Sequence, residues 1–179
     1  ERWSRLLGWM RGDNLSYDLE PFRVTAGEIL ENAQPLETSS AKDLASSIAT
    51  IRDRLREGEP KWRDQLERLD EDLVEVYAHV YEAARRTLGL KAFEEQLIAA
   101  VALHQSKVVE MQTGEGKTLA AVFPAILGAL TGRGFHVLTP NDYLARRDAQ
   151  WMGPIYEMLG LTVGAASEGT SRAERKEAY

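Results

Sequence analysis

The residues with the clearest chemical meaning form one short run, residues 111–118, which reads Met-Gln-Thr-Gly-Glu-Gly-Lys-Thr. Gly114 and Gly116 leave room beside the main chain and accept a positive φ. Backbone N–H groups of the run, and of a helix that begins at Lys117, would converge on a phosphate group. The Lys117 ammonium supplies a charge for β- and γ-phosphates, and the Thr118 hydroxyl supplies a ligand for Mg²⁺. The run therefore predicts a nucleotide-phosphate site.

This run, called the phosphate loop below, departs from the commonest pattern, G-x-x-x-x-G-K-[ST], because Met111 stands at the first glycine. The form found here is the one used by helicase-like motors. A lone Gly-Lys-Thr is a weak signal, since it also occurs by chance. Its position between an apolar strand-like segment at 107–111 and an apolar helix at 117–130 meets the structural condition for such a loop. We therefore interpret it as a nucleotide loop rather than a glycine-rich turn with an exposed lysine.

Two further candidates flank the phosphate loop. Gln96 lies 18 residues before Gly114, on a predicted helix. Its amide can donate and accept, so it could read the N6/N7 edge of adenine, or it could be a solvated helix residue. Asn141 and Asp142 follow a predicted strand, where we expect them to cap the next helix. An acidic triplet at 70–72 lies inside a helix before the loop, and we interpret it as a solvated face.

The first part of the chain has helical patterns and almost no strand-like runs. Ser40, with Asp43 three residues later, predicts a capping box at a helix start. A three-and-four apolar repeat predicts a long helix at 62–88. Residues 12–40 have weak periodicity and prolines typical of turns. We therefore expect a helical N-terminal extension over residues 1–91.

From residue 92 onward, strand-like and helical segments alternate. The predicted elements in chain order are a helix at 93–105, a strand at 107–111, a helix at 117–130, a strand at 135–139, a helix at 142–159 and a strand at 161–164. This order predicts an α/β fold, a parallel sheet of the P-loop NTPase (helicase-like, RecA-like) type. We expect residues 92–179 to form the first, incomplete part of a P-loop (DEAD-like) nucleotide-binding domain. The chain starts at Glu1 and stops within a helix-like stretch, so we expect a piece of a longer protein.

The composition and charge of the chain limit the classes of function that it can have. The net charge of −6 gives no global positive field for nucleic acid, and the lack of cysteine excludes disulfides and thiolate metal sites. No apolar run approaches the roughly 20 residues needed to cross a bilayer. The basic, tryptophan-containing segment 1–11 has two interpretations: it lies on an anionic membrane surface, or it packs against its own protein.

Several stretches together resemble the SecA family, the motor ATPases of bacterial preprotein export, which are built on a superfamily II helicase-like core. These stretches are residues 93–98 (Phe-Glu-Glu-Gln-Leu-Ile), 110–119 (Glu-Met-Gln-Thr-Gly-Glu-Gly-Lys-Thr-Leu) and 139–149 (Thr-Pro-Asn-Asp-Tyr-Leu-Ala-Arg-Arg-Asp-Ala). The similarity is dense from about residue 72 to 164. Their combination is far more specific than a phosphate loop alone.

The resemblance implies ATP hydrolysis coupled to preprotein translocation across the bacterial cytoplasmic membrane, with ATP and Mg²⁺ as cofactors. The family's adenine-reading glutamine falls on Gln96. Its phosphate-binding stretch falls on Thr113, Gly114, Glu115, Gly116, Lys117 and Thr118. Among these, Lys117 and Thr118 are the expected catalytic residues, and Thr118 is the expected metal ligand.

The resemblance also implies preprotein substrates and a membrane translocation channel as partners, no nucleic acid, and a homodimer for the full-length protein. It implies a cytoplasmic protein, peripheral on the cytoplasmic face of the bacterial cell membrane. The carboxylates that hold Mg²⁺ and orient water are expected after residue 179. We therefore expect residues 1–179 alone to bind nucleotide weakly or not at all and not to hydrolyse it. Two alternatives stay open: a superfamily II nucleic-acid helicase or translocase, and a non-catalytic SecA-like interaction module.

Overall fold

The computed structural model describes residues 18–58 and 62–178, and its regular elements are all helical over these ranges. In chain order they are α1 (Glu20–Ala33), a 3-10 turn (Pro35–Thr38), α2 (Ala41–Arg56), α3 (Trp62–Leu88), α4 (Glu94–His104), α5 (Lys117–Ala129), α6 (Asp142–Met158) and α7 (Arg172–Ala178). The long helix α3 is central, because α1, α2, α5 and α6 all contact it. Within the described ranges, no helix is both long and apolar enough to span a membrane.

The start of α2 and the extent of α3 agree with the predictions from the sequence. The Ser40 hydroxyl oxygen accepts from the Asp43 N–H at 3.1 Å, and the Asp43 carboxylate accepts from the Ser40 N–H at 3.1 Å. This reciprocal pair is the predicted capping box. These hydrogen bonds from Ser40, the side-chain bond first, lower the pKa of Asp43. The predicted helix at 62–88 is confirmed as α3.

Helix α1 was not expected, because residues 12–40 have weak periodicity and their prolines are typical of turns. The turn predicted at Pro21 is wrong, since this residue lies within α1; residues 12–17 lie outside the described ranges. Pro21 stands in the first turn, where the missing N–H costs nothing. The buried side of α1 consists of Ala26, Ile29 and Ala33. Two of these side chains are small, so the apolar periodicity is too weak to reveal the helix.

The predicted parallel sheet is wrong: the described residues contain no strand. The three segments predicted to be strands form no hydrogen-bonded ladder with one another. They are residues 107–111, 135–139 and 161–164. A strand exists only when a neighbour pairs with its N–H and C=O groups. Val108 is fully exposed and Leu138 is 91% exposed, so these apolar side chains do not face a common core here.

The core is one cluster of buried apolar side chains that joins α3 to the helices around it. At its centre Tyr77 of α3 meets Phe123 of α5 edge to face, with ring centroids 5.3 Å apart and an interplanar angle of 63°. The Tyr77 hydroxyl donates to the Ala100 carbonyl at 3.2 Å. Beyond the end of α5, Arg56 donates to the Leu130 carbonyl at 3.0 Å. The cluster includes residues on both sides of residue 92, and the domain boundary there stays a prediction.

The acidic triplet at 70–72 is only partly a solvated face. The Asp70 side chain is 72% exposed and its carboxylate lies 2.6 Å from the Nε2 atom of His104. Asp72, however, is buried and pairs with Arg54, so the interpretation is wrong for this residue. Burial is the main cause that raises its pKa, and the charge of Arg54 opposes it. Asp72 precedes Leu73 on α3 and faces α2, a contact that no local pattern reveals.

Glu82 is a buried carboxylate on α3 that supports a pH prediction. Its oxygens accept from Arg85 at 2.7 Å and Arg86 at 2.5 Å, and Arg86 also donates to the Leu36 carbonyl at 2.7 Å. The hydrogen bond from Arg85 is the largest cause that lowers the pKa of Glu82. We expect Glu82→Gln to lower the free energy of unfolding at pH 7 by about 1–3 kcal/mol.

This loss should depend on pH with a definite sign. Because the folded-state pKa is lowered, the contribution of Glu82 is complete above the unfolded value of about 4.3 and is lost as the pH falls through the folded-state pKa. The difference between wild type and Glu82→Gln should therefore shrink on acidification below about pH 4.3. Urea titrations across this range measure it, and Glu67→Gln, an exposed change on the same helix, is the control. A difference that is constant with pH contradicts the prediction.

Candidate functional site

The phosphate loop lies between α4 and α5, runs into the first turn of α5, and has the backbone that the glycines predicted. Gly114 has φ +94° and Gly116 has φ +79°. Gly116 is the N-cap of α5 in a left-handed conformation, so the loop enters the helix through a residue that L side chains rarely allow. Lys117 is the first residue of α5. The N-terminus of a helix of this length carries free N–H groups and a partial positive charge.

Gln96 of α4 lies directly beneath the loop and is 7% exposed. Its Nε2 donates to the Glu115 carbonyl at 2.8 Å, and its Oε1 accepts from the Phe93 N–H at 3.0 Å. A Cβ atom added to Gly116 would lie 2.2 Å from Nε2. Gln96 is therefore buried and not a solvated helix residue, and it fixes the loop against the first turn of α4. Its predicted role toward adenine is a separate matter and stays a prediction.

The charged side chains of the loop are bonded to its own backbone. The Lys117 ammonium donates to the Gln112 carbonyl at 2.6 Å. The Gln112 N–H donates to the Glu115 carboxylate at 2.6 Å, and the Glu115 N–H donates back to the Gln112 carbonyl at 3.3 Å. Lys117, Glu115 and Gln112 are all exposed, whereas Thr118 is half-buried in the first turn of α5. The structure thus gathers a cation, a carboxylate and a hydroxyl at one helix N-terminus.

Gln112 belongs to the run that the sequence pointed to, but no role was predicted for it. Its main chain binds the side chains of both Lys117 and Glu115. The available signal was the Glu at position 115, three residues after Gln112, a spacing at which a carboxylate often accepts a backbone N–H. Thr113, the other residue between Met111 and Gly114, is exposed in the loop.

Asn141 and Asp142 serve the start of α6. The Asn141 side chain accepts from the Leu144 N–H at 2.9 Å, which confirms the predicted cap. Asp142 accepts from the Glu168 N–H at 3.0 Å and so ties α6 to the loop before α7. Within residues 18–58 and 62–178, no hydrogen bond joins either side chain to the phosphate loop.

A glycine-rich loop that ends in a lysine at a helix N-terminus is typical of the phosphate sites of nucleotide-binding proteins. The SecA DEAD-like domain family matches residues 8–179. The chain therefore belongs to the SecA DEAD-like domain family.

The relatives in this family are long proteins. A protein translocase subunit SecA from Rubrobacter xylanophilus is 48% identical over 161 residues, which cover 90% of this chain and 17% of that protein. The one from Carboxydothermus hydrogenoformans is 47% identical over 159 residues, covering 88% and 17%. The one from Pelotomaculum thermopropionicum is 43% identical over 176 residues, covering 97% and 19%. The chain spans less than a fifth of the length of these curated relatives.

Proposed function

We propose that this chain is the ATP-binding part of a SecA-like motor ATPase that couples ATP hydrolysis to preprotein translocation across the bacterial cytoplasmic membrane. One observation carries the proposal: a chain of the SecA DEAD-like domain family has its Gly-x-Gly-Lys-Thr run at a helix N-terminus, with both glycines at positive φ. Such a loop suits an anion, because a helix N-terminus offers backbone N–H groups and the two glycines bring no side chain close to them.

In this proposal the residues of the loop and Gln96 bind different parts of ATP. The backbone of Thr113, Gly114, Glu115 and Gly116 surrounds the phosphates, and the Lys117 ammonium moves from the Gln112 carbonyl to the β- and γ-oxygens. Gln96 uses one N–H and one lone pair within the protein. An amide has a second of each, and these match the N7 acceptor and N6 donor of adenine.

Thr118 is the residue that would hold Mg²⁺. It follows Lys117 in the first turn of α5, where its side chain is half-buried. When bound, the metal neutralises charge that develops on the transferred phosphoryl group. Lys117 stabilises the same charge from the helix N-terminus, where the peptide dipoles add to its effect.

The proposal also covers partners and place. The complete protein that contains this chain acts on preproteins at a membrane translocation channel, forms a homodimer, and works in the cytoplasm at the inner face of the membrane. Residues 1–11 lie outside the described ranges, and contact with an anionic membrane surface and packing against the protein stay the two interpretations of this segment. Residues 1–179 by themselves do not hydrolyse ATP, because the carboxylates that orient water belong to other parts of the protein.

Lys117→Ala tests the proposal in the complete protein. We expect ATP affinity to fall about tenfold or more, since a charge-assisted hydrogen bond to phosphate is lost. Lys107→Ala removes the same charge from an exposed position just before the loop and should leave the affinity near wild type. Titration with a fluorescent ATP analogue measures both variants, and equal affinities would contradict an ATP site at this loop.

The coupling is tested by what stimulates the ATPase of the complete protein. Preprotein together with its channel should raise the turnover of wild type, and Lys117→Ala should show no stimulated turnover. Stimulation by RNA or DNA instead would favour a helicase or translocase. A complete protein that binds ATP without turnover under either condition would favour the interaction module.

A further inference from the structure

A cavity of about 410 Å³ lies where the 3-10 turn and the start of α2 meet α3. None of its lining residues belongs to the phosphate loop, so it is separate from the ATP site proposed above. Its volume is within the range of small-molecule pockets. The polar residues that line it are Asn32, Ser39, Asp43, Ser47, Glu75 and His79.

His79 of α3 is the buried polar residue of this cavity, with 4% of its surface exposed. Its Nδ1 atom lies 2.8 Å from the Glu75 carbonyl oxygen. A carbonyl oxygen only accepts, so Nδ1 carries the proton, and Nε2 of the neutral ring offers a lone pair. No residue within 18–58 and 62–178 donates to Nε2. The cavity therefore contains an acceptor nitrogen that the rest of the fold does not use.

The Nε2 atom of His79 is open to the cavity. Over the described ranges, no side-chain nitrogen or oxygen is both enclosed and unpaired. Because Nε2 is unpaired, it must retain accessible surface, and the cavity is the open space that the His79 side chain lines. The ring thus presents its lone pair to a ligand position.

Two carboxylates give the cavity a negative wall. Glu75 is exposed, and its side chain forms no ion pair with any described residue. The side-chain and backbone hydrogen bonds from Ser40 lower the pKa of Asp43, so this carboxylate is ionised at neutral pH. The Asn32 amide donates to the Glu28 carbonyl at 2.8 Å, which leaves its oxygen as a further acceptor. Among the described residues, no lysine or arginine lines the cavity.

A wall of acceptors and negative charge requires a ligand that donates hydrogen bonds and is positively charged. In the described part of the chain, no group of three His, Asp or Glu side chains is placed to hold a metal ion, so the donor set fits an organic cation better. A primary ammonium has three N–H donors and forms charge-assisted hydrogen bonds with carboxylates. We propose that this cavity binds the primary ammonium group of an organic molecule, with His79 Nε2 and the Glu75 carboxylate as its acceptors.

Two probes of the complete protein represent the two sources of such a group. Putrescine stands for a free amine, and Nα-acetyl-lysine amide stands for a lysine side chain. Titration calorimetry should give a Kd on the order of 1 mM for at least one of them, and the tighter one identifies the source. Glu75→Gln should weaken this binding about fivefold, because the acceptor loses its charge. Glu71→Gln, the same change at an exposed residue one turn earlier on α3, should stay within about twofold of wild type.

The nitrogen-15 signal of His79 Nε2 gives a second measurement. In the complete protein with ring-labelled histidine, the signal is assigned by its loss in His79→Leu. The tighter probe should shift this signal, whereas tetramethylammonium, which has the charge but no N–H, should not. Absence of binding by both amines, an unmoved Nε2 signal, or equal affinities in Glu75→Gln and Glu71→Gln would each overturn the proposal. These outcomes leave the ATP site untouched, since that site is tested by Lys117→Ala.

Discussion

Gly116→Ala should weaken ATP binding by the complete protein about 100-fold, more than the loss of the Lys117 charge. Two separate costs combine. Gly116 has φ +79°, and an L residue in the left-handed region costs about 1–2 kcal/mol. Its new Cβ would also lie 2.2 Å from Gln96 Nε2, so the amide must move. Because Gln96 is buried and holds both Phe93 and Glu115, moving it sacrifices hydrogen bonds worth about 1–3 kcal/mol.

These costs act by depleting the conformation that binds. If only a small fraction of the molecules has the native loop, the apparent affinity is the intrinsic affinity multiplied by that fraction. Titration of ATP into the complete protein, together with urea unfolding, measures the affinity and the loss of stability. Both should change, since the hydrogen bonds to Gln96 also stabilise the fold.

Gly114→Ala separates the two costs within the same loop. Gly114 has φ +94°, but a Cβ there meets no atom within 4 Å. It should lose affinity by the conformational cost only, about 10-fold. In the Gln96→Ala background, Gly116→Ala should cost clearly less than in wild type, because the clash is gone. Equal losses in Gly114→Ala and Gly116→Ala, with no coupling to Gln96, would show that the contact with Gln96 is unimportant.

Phe123→Ala should lower the free energy of unfolding by about 3–5 kcal/mol, the largest stability change expected here. Phe123 is completely buried on the helix that begins at Lys117, and its ring meets the edge of Tyr77. Truncation removes the transfer free energy of the ring and leaves a cavity between α3 and α5. A loss of this size is a large part of the stability of an ordinary domain.

Urea denaturation followed by circular dichroism measures this change. Phe93→Ala deletes the same atoms from a side chain that is 70% exposed, and it should cost less than about 1 kcal/mol. Phe123→Leu keeps most of the volume and should lie between the two. A loss below about 1 kcal/mol for Phe123→Ala would mean that α5 does not depend on this contact.

The sequence predicted those features that are decided within a few residues. The capping box at Ser40 and the cap at Asn141 depend on side chains that bond their own backbone three residues on, so spacing was sufficient. The positive φ of Gly114 and Gly116 followed from residue type and motif. The long apolar repeat of α3 was equally local.

Features that need a distant partner were not predictable. The segments at 107–111 and 135–139 have strand-like composition, but composition does not supply a neighbour to pair with. The sequence predicted a solvated Asp72, but the fold places Arg54 of α2 beside it. The contact of Gln96 with the loop joins residues 19 positions apart, and only the fold brings them together.

The exposed apolar side chains of the extended segments limit how the separate chain can be handled. Val108 and Leu138 are almost entirely open to water, and Phe135 and Val137 are about half open. An extended backbone with exposed apolar side chains is a surface through which copies of the chain can associate. We therefore expect residues 1–179 alone to aggregate as their concentration rises, so experiments on this chain by itself should use dilute samples.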